Sequence, residues 1–119
     1  MTQDTALGHL QEAVDLLQPI PHENWATHTL VFKDTCCAVG HLVRLKKCGG
    51  AYGLLQGLTD SDMLESPELR SFRFSLETLG HDLDDLTSIN GSPNRRYPQA
   101  TPKDRVLAFL NDCIRRLKL

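Results

Sequence analysis

Long apolar runs are missing from this sequence. No stretch approaches the ~20 residues that cross a bilayer, and the opening Met1-Thr2-Gln3-Asp4-Thr5 has neither the basic nor the apolar segment of a secretory leader. The expectation is a cytoplasmic protein without a membrane partner. An excess of one charge is missing too. Thirteen Lys and Arg stand against fifteen Asp and Glu, leaving a net charge of −2 and a pI near 6.2. No whole-molecule field draws such a chain to nucleic acid, so that class of partner is not expected. Also absent are the short patterns that carry chemistry: a glycine-rich phosphate loop behind a strand, a Gly-x-Ser-x-Gly elbow, a His-Glu-x-x-His pair. The acids Asp82, Asp84 and Asp85, and the pair Asp60 and Asp62, lack the glycine and the bidentate acid of a calcium loop. A solvated helix face accounts for the first group and capping for the second.

What is present is a globular composition. The chain has 119 residues, 40% of them hydrophobic and 24% charged, which is one domain over 1–119 with enough apolar surface to offset its ordering entropy. No cofactor is required for stability. Four cysteines, Cys36, Cys37, Cys48 and Cys113, are expected to be thiols in a reducing compartment.

Apolar residues recur at helical spacing. Leu7, Leu10, Val14 and Leu17 predict a first helix from about Thr5 to Gln18, capped by Asp4 or Thr5 and ended by Pro19 and Pro21. The stretch from His22 to Asp34 reads as an irregular connector with one helical turn or a short extended piece. Asp34 or Thr35 is expected to cap a second, deeply buried helix running through Cys36 and Cys37 to Lys47, with Cys48-Gly49-Gly50 as its stop. Gly40 inside it costs helix propensity, which predicts close approach of another backbone. A short helical piece follows near Tyr52 to Leu58, then a turn at Thr59-Asp60-Ser61-Asp62. From Ser66-Pro67 onward, Leu69, Phe72, Leu76, Leu79, Leu83 and Leu86 predict one long helix that keeps its register across Gly80. Ser88 to Ala100 reads as an exposed loop, and Thr101-Pro102 opens a last helix on Val106, Leu110, Cys113 and Leu117. The fold class expected is mainly α, a compact four- to five-helix bundle or orthogonal helical domain. Basic clusters at Arg44, Lys46 and Lys47, and at Arg115, Arg116 and Lys118, suit helix C-termini.

Cys36 and Cys37 are the sharpest chemical signal, because the first turn of a helix presents free amides that favour a thiolate. His41, four residues past Cys37, is a candidate base on the same face. The competing reading makes the cysteines small core residues and His41 a histidine bonded to a nearby carbonyl. Cys36 or Cys37 with His41 and Cys48 also offers soft ligands for zinc, yet at a spacing that matches no common paired-ligand pattern, so no metal is expected. Trp25 with His22, His28 and the Asn90-Gly91-Ser92 segment could line a cleft, and Arg95, Arg96 and Tyr97 stand in the polar loop as contact residues.

Trp25, Asp34 leading to Cys36-Cys37-Ala38-Val39-Gly40-His41-Leu42, Ile89-Asn90-Gly91 and Val106-Leu107-Ala108-Phe109-Leu110 follow one another in this order. Over most of the chain they resemble a family of small bacterial and phage proteins of unknown function. That family carries a Trp, a Cys-Ala-Leu-Gly-Ala-Leu or Cys-x-x-Gly-His-Leu motif, an Asn-Asp pair and a closing helix with Val-Leu. Gly91 stands where the pattern prefers Asp, which weakens any role for a carboxylate after Asn90. The resemblance implies a microbial or mobile-element origin and no reaction. It gives Gly40 a helix-contact role, and Asn90 a bond to its own backbone that shapes the loop. The function expected is a non-enzymatic module binding a protein partner. The alternative is a thiol-dependent hydrolase or transferase using Cys37 or Cys36 with His41.

Overall fold

Burial at every third or fourth residue turns most of the chain into helix. In the computed structural model, which describes residues 3–27 and 29–119, the helices are α1 (Gln3–Leu17), α2 (Ala38–Lys47), the one-turn α3 (Asp60–Leu64), α4 (Arg70–Glu77), α5 (Leu83–Gly91) and α6 (Pro102–Lys118). Two short strands, β1 (Val31–Phe32) and β2 (Thr35–Cys36), pair antiparallel, with Val31 opposite Cys36 and Phe32 opposite Thr35. The protein is therefore mainly α, as its periodicity predicts. α1 packs against both α4 and α6, α5 lies on α6, and α2 touches α1 and α5. Leu10 and Leu17 of α1, Leu42 of α2, Leu76 of α4, Leu86 of α5 and Phe109 and Leu110 of α6 are all fully buried in one apolar cluster. The radius of gyration, 13.3 Å, matches the ~13.5 Å of a folded domain of this length. No helix among the described residues is long and apolar enough to cross a membrane.

Several local expectations hold. The connector contains both a 3-10 turn at His22–Asn24 and the β1 strand. Thr101 caps α6 by accepting the Asp104 amide at 3.3 Å, with Pro102 at the first position. A Cβ on Gly40 would stand 2.2 Å from the Leu30 carbonyl oxygen, so the backbone of the hairpin segment does press onto α2 there.

Others are corrected. α1 already runs at Gln3, which places Asp4 inside its first turn rather than at its cap. Thr35 and Cys36 are strand, not helix. Val31 pairs with Cys36 on one side, and Trp25 bridges it on the other, with the Ala26 amide donating to the Cys36 carbonyl at 2.8 Å. The Cys37 amide donates to Leu30 O at 3.1 Å, so α2 begins only at Ala38, with Cys37 as its extended cap residue. Thr59 and Asp62 are a capping box that starts α3. The long helix is two: Gly80 takes φ +82°, the His81 amide returns to Leu76 O at 3.0 Å, and Asp82 with Asp85 forms a second capping box that starts α5. The stripe survives the break because both pieces lay their apolar faces on the same core. α5 continues to Gly91, so the polar loop starts at Ser92 rather than Ser88.

Candidate functional site

The hairpin and the start of α2 carry Cys36, Cys37 and His41 into the interior, where each is at most 2% exposed. His41 Nε2 lies 2.8 Å from the Asn24 carbonyl oxygen, and its Nδ1 faces Arg44 Nε at 3.3 Å and Nη2 at 3.1 Å. Arginine only donates and a carbonyl only accepts, which fixes a neutral ring with its proton on Nε2. Trp25 and Tyr52 stand edge-on to it, with centroids at 5.1 and 6.1 Å. Burial brings its pKa down to about 4 against the pull of the Asn24 carbonyl, and the Arg44 charge adds to the fall. With both nitrogens occupied, this ring has no lone pair to offer a thiol.

The thiols are held protonated by the same cause. Burial pushes Cys36 up to about 12 despite the neighbouring Arg44 guanidinium. It raises Cys37 as well; the amides of Gly40 and Val39 at the start of α2 oppose this, and the Asp60 carboxylate adds to the rise. The helix terminus acts in the expected direction and is outweighed by desolvation. Cys37 does line a pocket of about 210 Å³, with Thr27, Thr29, Leu30, Asp60, Leu64, Asp84 and Thr87. Among the described residues no three His, Cys, Asp or Glu side chains converge on a metal position.

Asn90 is the centre of a second polar junction. It is 1% exposed, its Oδ1 accepts the Ala38 amide at 3.0 Å, and its Nδ2 donates to the Ala26 carbonyl at 2.7 Å. The expected local bond to its own backbone is not made. Asn90 sits within α5, whose backbone is already paired, so its amide side chain reaches across to cap α2 and pin the connector. Gly91 beside it faces Thr27 O, which a Cβ would meet at a tight 3.3 Å.

Arg105 belongs to no motif in the sequence, yet it is as deeply buried as Cys37. At 2% exposure its Nε donates to Ile89 O at 2.8 Å, Nη2 to Asn90 O at 2.8 Å and Nη1 to Gln99 O at 2.9 Å, closing the C-terminal end of α5. A signal was there: Arg105 is in step with Phe109 and Cys113, i, i+4 and i+8 on the buried face of α6. Arg44, grouped with Lys46 and Lys47 as a helix-end cation, is also buried. Besides His41 it holds Gly50 O at 2.7 Å, and its guanidinium lies 4.2 Å from the Tyr52 ring centroid.

The remaining sequence-predicted contact residues divide. Trp25 is buried, its Nε1 donating to Ile20 O at 3.4 Å, and it plugs the core edge rather than walling a cleft. His28 lies outside the described residues. Tyr97 is turned inward, edge-on to Phe109 at 5.7 Å, because Asn94 Oδ1 accepts the amides of Arg96 and Tyr97 at 2.9 and 2.7 Å and folds the loop back on itself. Tyr97 is therefore not a free contact residue, whereas Arg95 and Arg96 face solvent.

Around Arg96 the surface is grooved. One pocket of about 380 Å³ is lined by His81, Asp85, Ser88, Ile89, Arg96, Tyr97 and Phe109, and a second of about 360 Å³ by Arg96, Asp112, Arg115, Arg116 and Leu119. His81 Nδ1 is 3.0 Å from Asp85 Oδ2, and Arg116 reaches His81 Nε2 and Leu79 O, both at 3.2 Å. Arg115 pairs with Asp112. Compared with known proteins, the chain matches no family model, no curated protein and no solved structure.

Proposed function

We propose that the chain is a non-enzymatic helical module that acts by binding a partner protein, in the regulatory setting implied by its likeness to bacterial and phage proteins. One observation carries the reading: the residues best suited to chemistry already have structural occupations. Both nitrogens of His41 are spent on Asn24 and Arg44, and burial keeps the Cys36 and Cys37 thiols protonated. What remains free at the surface is contact chemistry, arginine above all.

In-cell crosslinking of the tagged chain, followed by mass measurement of the native species recovered, tests this. The expected result is a defined complex with one other protein, retained in a Cys37→Ala variant. A chain that stays uncomplexed at every concentration overturns it.

A second reading, a thiol-dependent hydrolase or transferase, draws on the pocket beside Cys37. It requires a Cys37 thiolate near neutral pH without help from His41. Turnover of a thioester substrate that disappears in Cys37→Ala would move the balance to it.

A further inference from the structure

We infer that the pocket enclosed by the 27–30 segment, α3 and α5 is a binding site for a small amino alcohol, its ammonium at the rim of Asp60 and Asp84 and its hydroxyl against the Cys37 thiol. The inference goes beyond the partner-binding reading and gives the chain a small-molecule ligand of its own.

The pocket measures about 210 Å³, below the ~300 Å³ at which sites for drug-sized molecules begin, so its occupant is only a few heavy atoms long. Its lining is graded with depth. Asp60, Asp84 and Thr29 are exposed at the rim, whereas Leu30 and Cys37 are buried at the back.

Charge at the rim has one sign. Among the described residues no cation lines the pocket, and the ion pairs involve Glu12, Asp85, Asp104 and Asp112, which leaves Asp60 and Asp84 without a partner. Lys33 shares a neighbouring hollow with Asp60 but is not within ion-pair distance of it; its ammonium lies 5.4 Å from the Phe32 ring centroid. Each carboxylate sits in the first turn of a helix, α3 or α5, whose end offsets at most about half a charge. The potential that remains is negative, and it favours an ammonium over an anion.

Cys37 makes an independent demand. Its amide donates to Leu30 O and its carbonyl accepts the His41 amide, so the thiol is the part left to face the pocket. At 2% exposure its sulfur is met only by donors, the amides of Gly40 and Val39, and its S–H proton has no acceptor among the described residues. A buried donor in this position, even a weak one, calls for an oxygen. Thr29 and Thr87 have the opposite need: their hydroxyls donate to Val31 O at 2.6 Å and to Leu83 O at 2.9 Å, which leaves their lone pairs as acceptors. A ligand hydroxyl answers both, accepting from the thiol and donating to a threonine oxygen.

Among the described residues Asp60, Asp84 and Cys37 do not converge on one point as metal ligands do. A single ion therefore cannot serve both ends of the pocket, whereas a short chain with an ammonium at one end and a hydroxyl at the other can.

The test is an NMR titration of the isotope-labelled whole chain with aminopropanol carrying its two groups at opposite ends. Its comparisons have the same number of heavy atoms: n-butylamine lacks the oxygen and n-butanol lacks the charge. Saturable shifts of the Thr29, Leu64 and Thr87 amides are expected with aminopropanol, weakening as salt rises from about 0.05 to about 0.5 M. Butylamine is expected to bind less tightly, because it leaves the thiol unmet, and butanol not to saturate. The double variant Asp60→Asn with Asp84→Asn is expected to lower aminopropanol affinity by about tenfold or more, while Asp15→Asn on α1, outside the pocket, leaves it unchanged. Cys37→Ala is expected to bring aminopropanol down to the level of butylamine. The caps of α3 and α5 belong to Thr59 with Asp62 and to Asp82 with Asp85, so an unaltered urea midpoint in the double variant separates lost binding from lost folding. Absence of saturable binding, equal binding of butylamine or butanol, or binding that survives the double substitution overturns the assignment. A capped lysine peptide that binds more tightly than aminopropanol, or a partner complex from cells that is lost in the double variant, would make the pocket a contact for a protein side chain and overturn it too. A chain that forms no partner complex yet binds aminopropanol as described sinks the binding-module reading and leaves this site standing.

Discussion

Two sets of arginines in this chain live under opposite conditions. Arg44 and Arg105 are buried, and their guanidinium groups face backbone carbonyls, a neutral imidazole and an aromatic ring, with no carboxylate among their hydrogen-bond partners. Arg95, Arg96 and Arg115 stand in water. Arg105 is tolerated inside because its three bonds fall on carbonyls that helix and loop leave unpaired, two of them at the negative end of α5. Desolvation still draws its pKa down. The difference teaches that the inner arginines are structural fasteners whose donors are already used, and that in the outer set, where Arg115 is paired with Asp112, it is Arg95 and Arg96 that have charge to offer a ligand.

The largest effect expected from breaking this contrast is on the inner side. Arg105→Met strands three carbonyls and should cost about 4 kcal/mol in urea unfolding. Arg105→Lys should recover only part, since an ammonium cannot span the same fork. A cost below about 1 kcal/mol would dissolve the distinction.

Acid should act nearly as strongly. The folded pKa of His41, about 4, is below the unfolded value, so the unfolded chain takes up the proton first as pH falls. Stability is then fully present above pH ~6.5 and lost progressively toward pH ~4, by about 3 kcal/mol in total. Chemical denaturation across that window measures it, and a flat profile contradicts the placement of His41 between Asn24 and Arg44.

Asn90→Ala should cost about 2 kcal/mol, because the Ala38 amide and the Ala26 carbonyl lose their shared partner. Smallest of all is the outer side: Arg96→Glu should leave the thermal midpoint unchanged, and a large drop would mean that the rim arginine is also a fastener.

How much of this was readable in the sequence follows from what each feature depends on. The stripes through Leu10 and Leu17, Leu42, and Val106 and Leu110 predict their helices because helical period and burial are the same signal. The break at Gly80 was not visible to that signal, since Leu79 and Leu83 keep its phase. It was visible locally, in a glycine followed by Asp82-x-x-Asp85. Cys36 is strand only because Val31 and Trp25 flank it, a tertiary fact no propensity contains. The candidate site divides the same way. Cys36, Cys37 and His41 stand out in the sequence by residue type and spacing, which support both the chemical and the carbonyl-bonded reading of His41. Asn90 predicts a local bond, but its partners lie 52 and 64 residues away along the chain, beyond any local pattern. Arg105 is hidden from a reading in which charge means exposure, although its step with Phe109 places it on the inner face.

The account turns on whether the chemistry-bearing side chains are sealed in. Timed labelling of the native chain with a thiol reagent between pH 6 and pH 9 asks this directly, because Cys48 alone is partly exposed and Cys36, Cys37 and Cys113 are buried. The prediction is one prompt thiol and three that react only as fast as the protein opens, at every pH in the range. Prompt labelling of Cys37 near neutrality, with an apparent pKa below the ordinary thiol value, would contradict it.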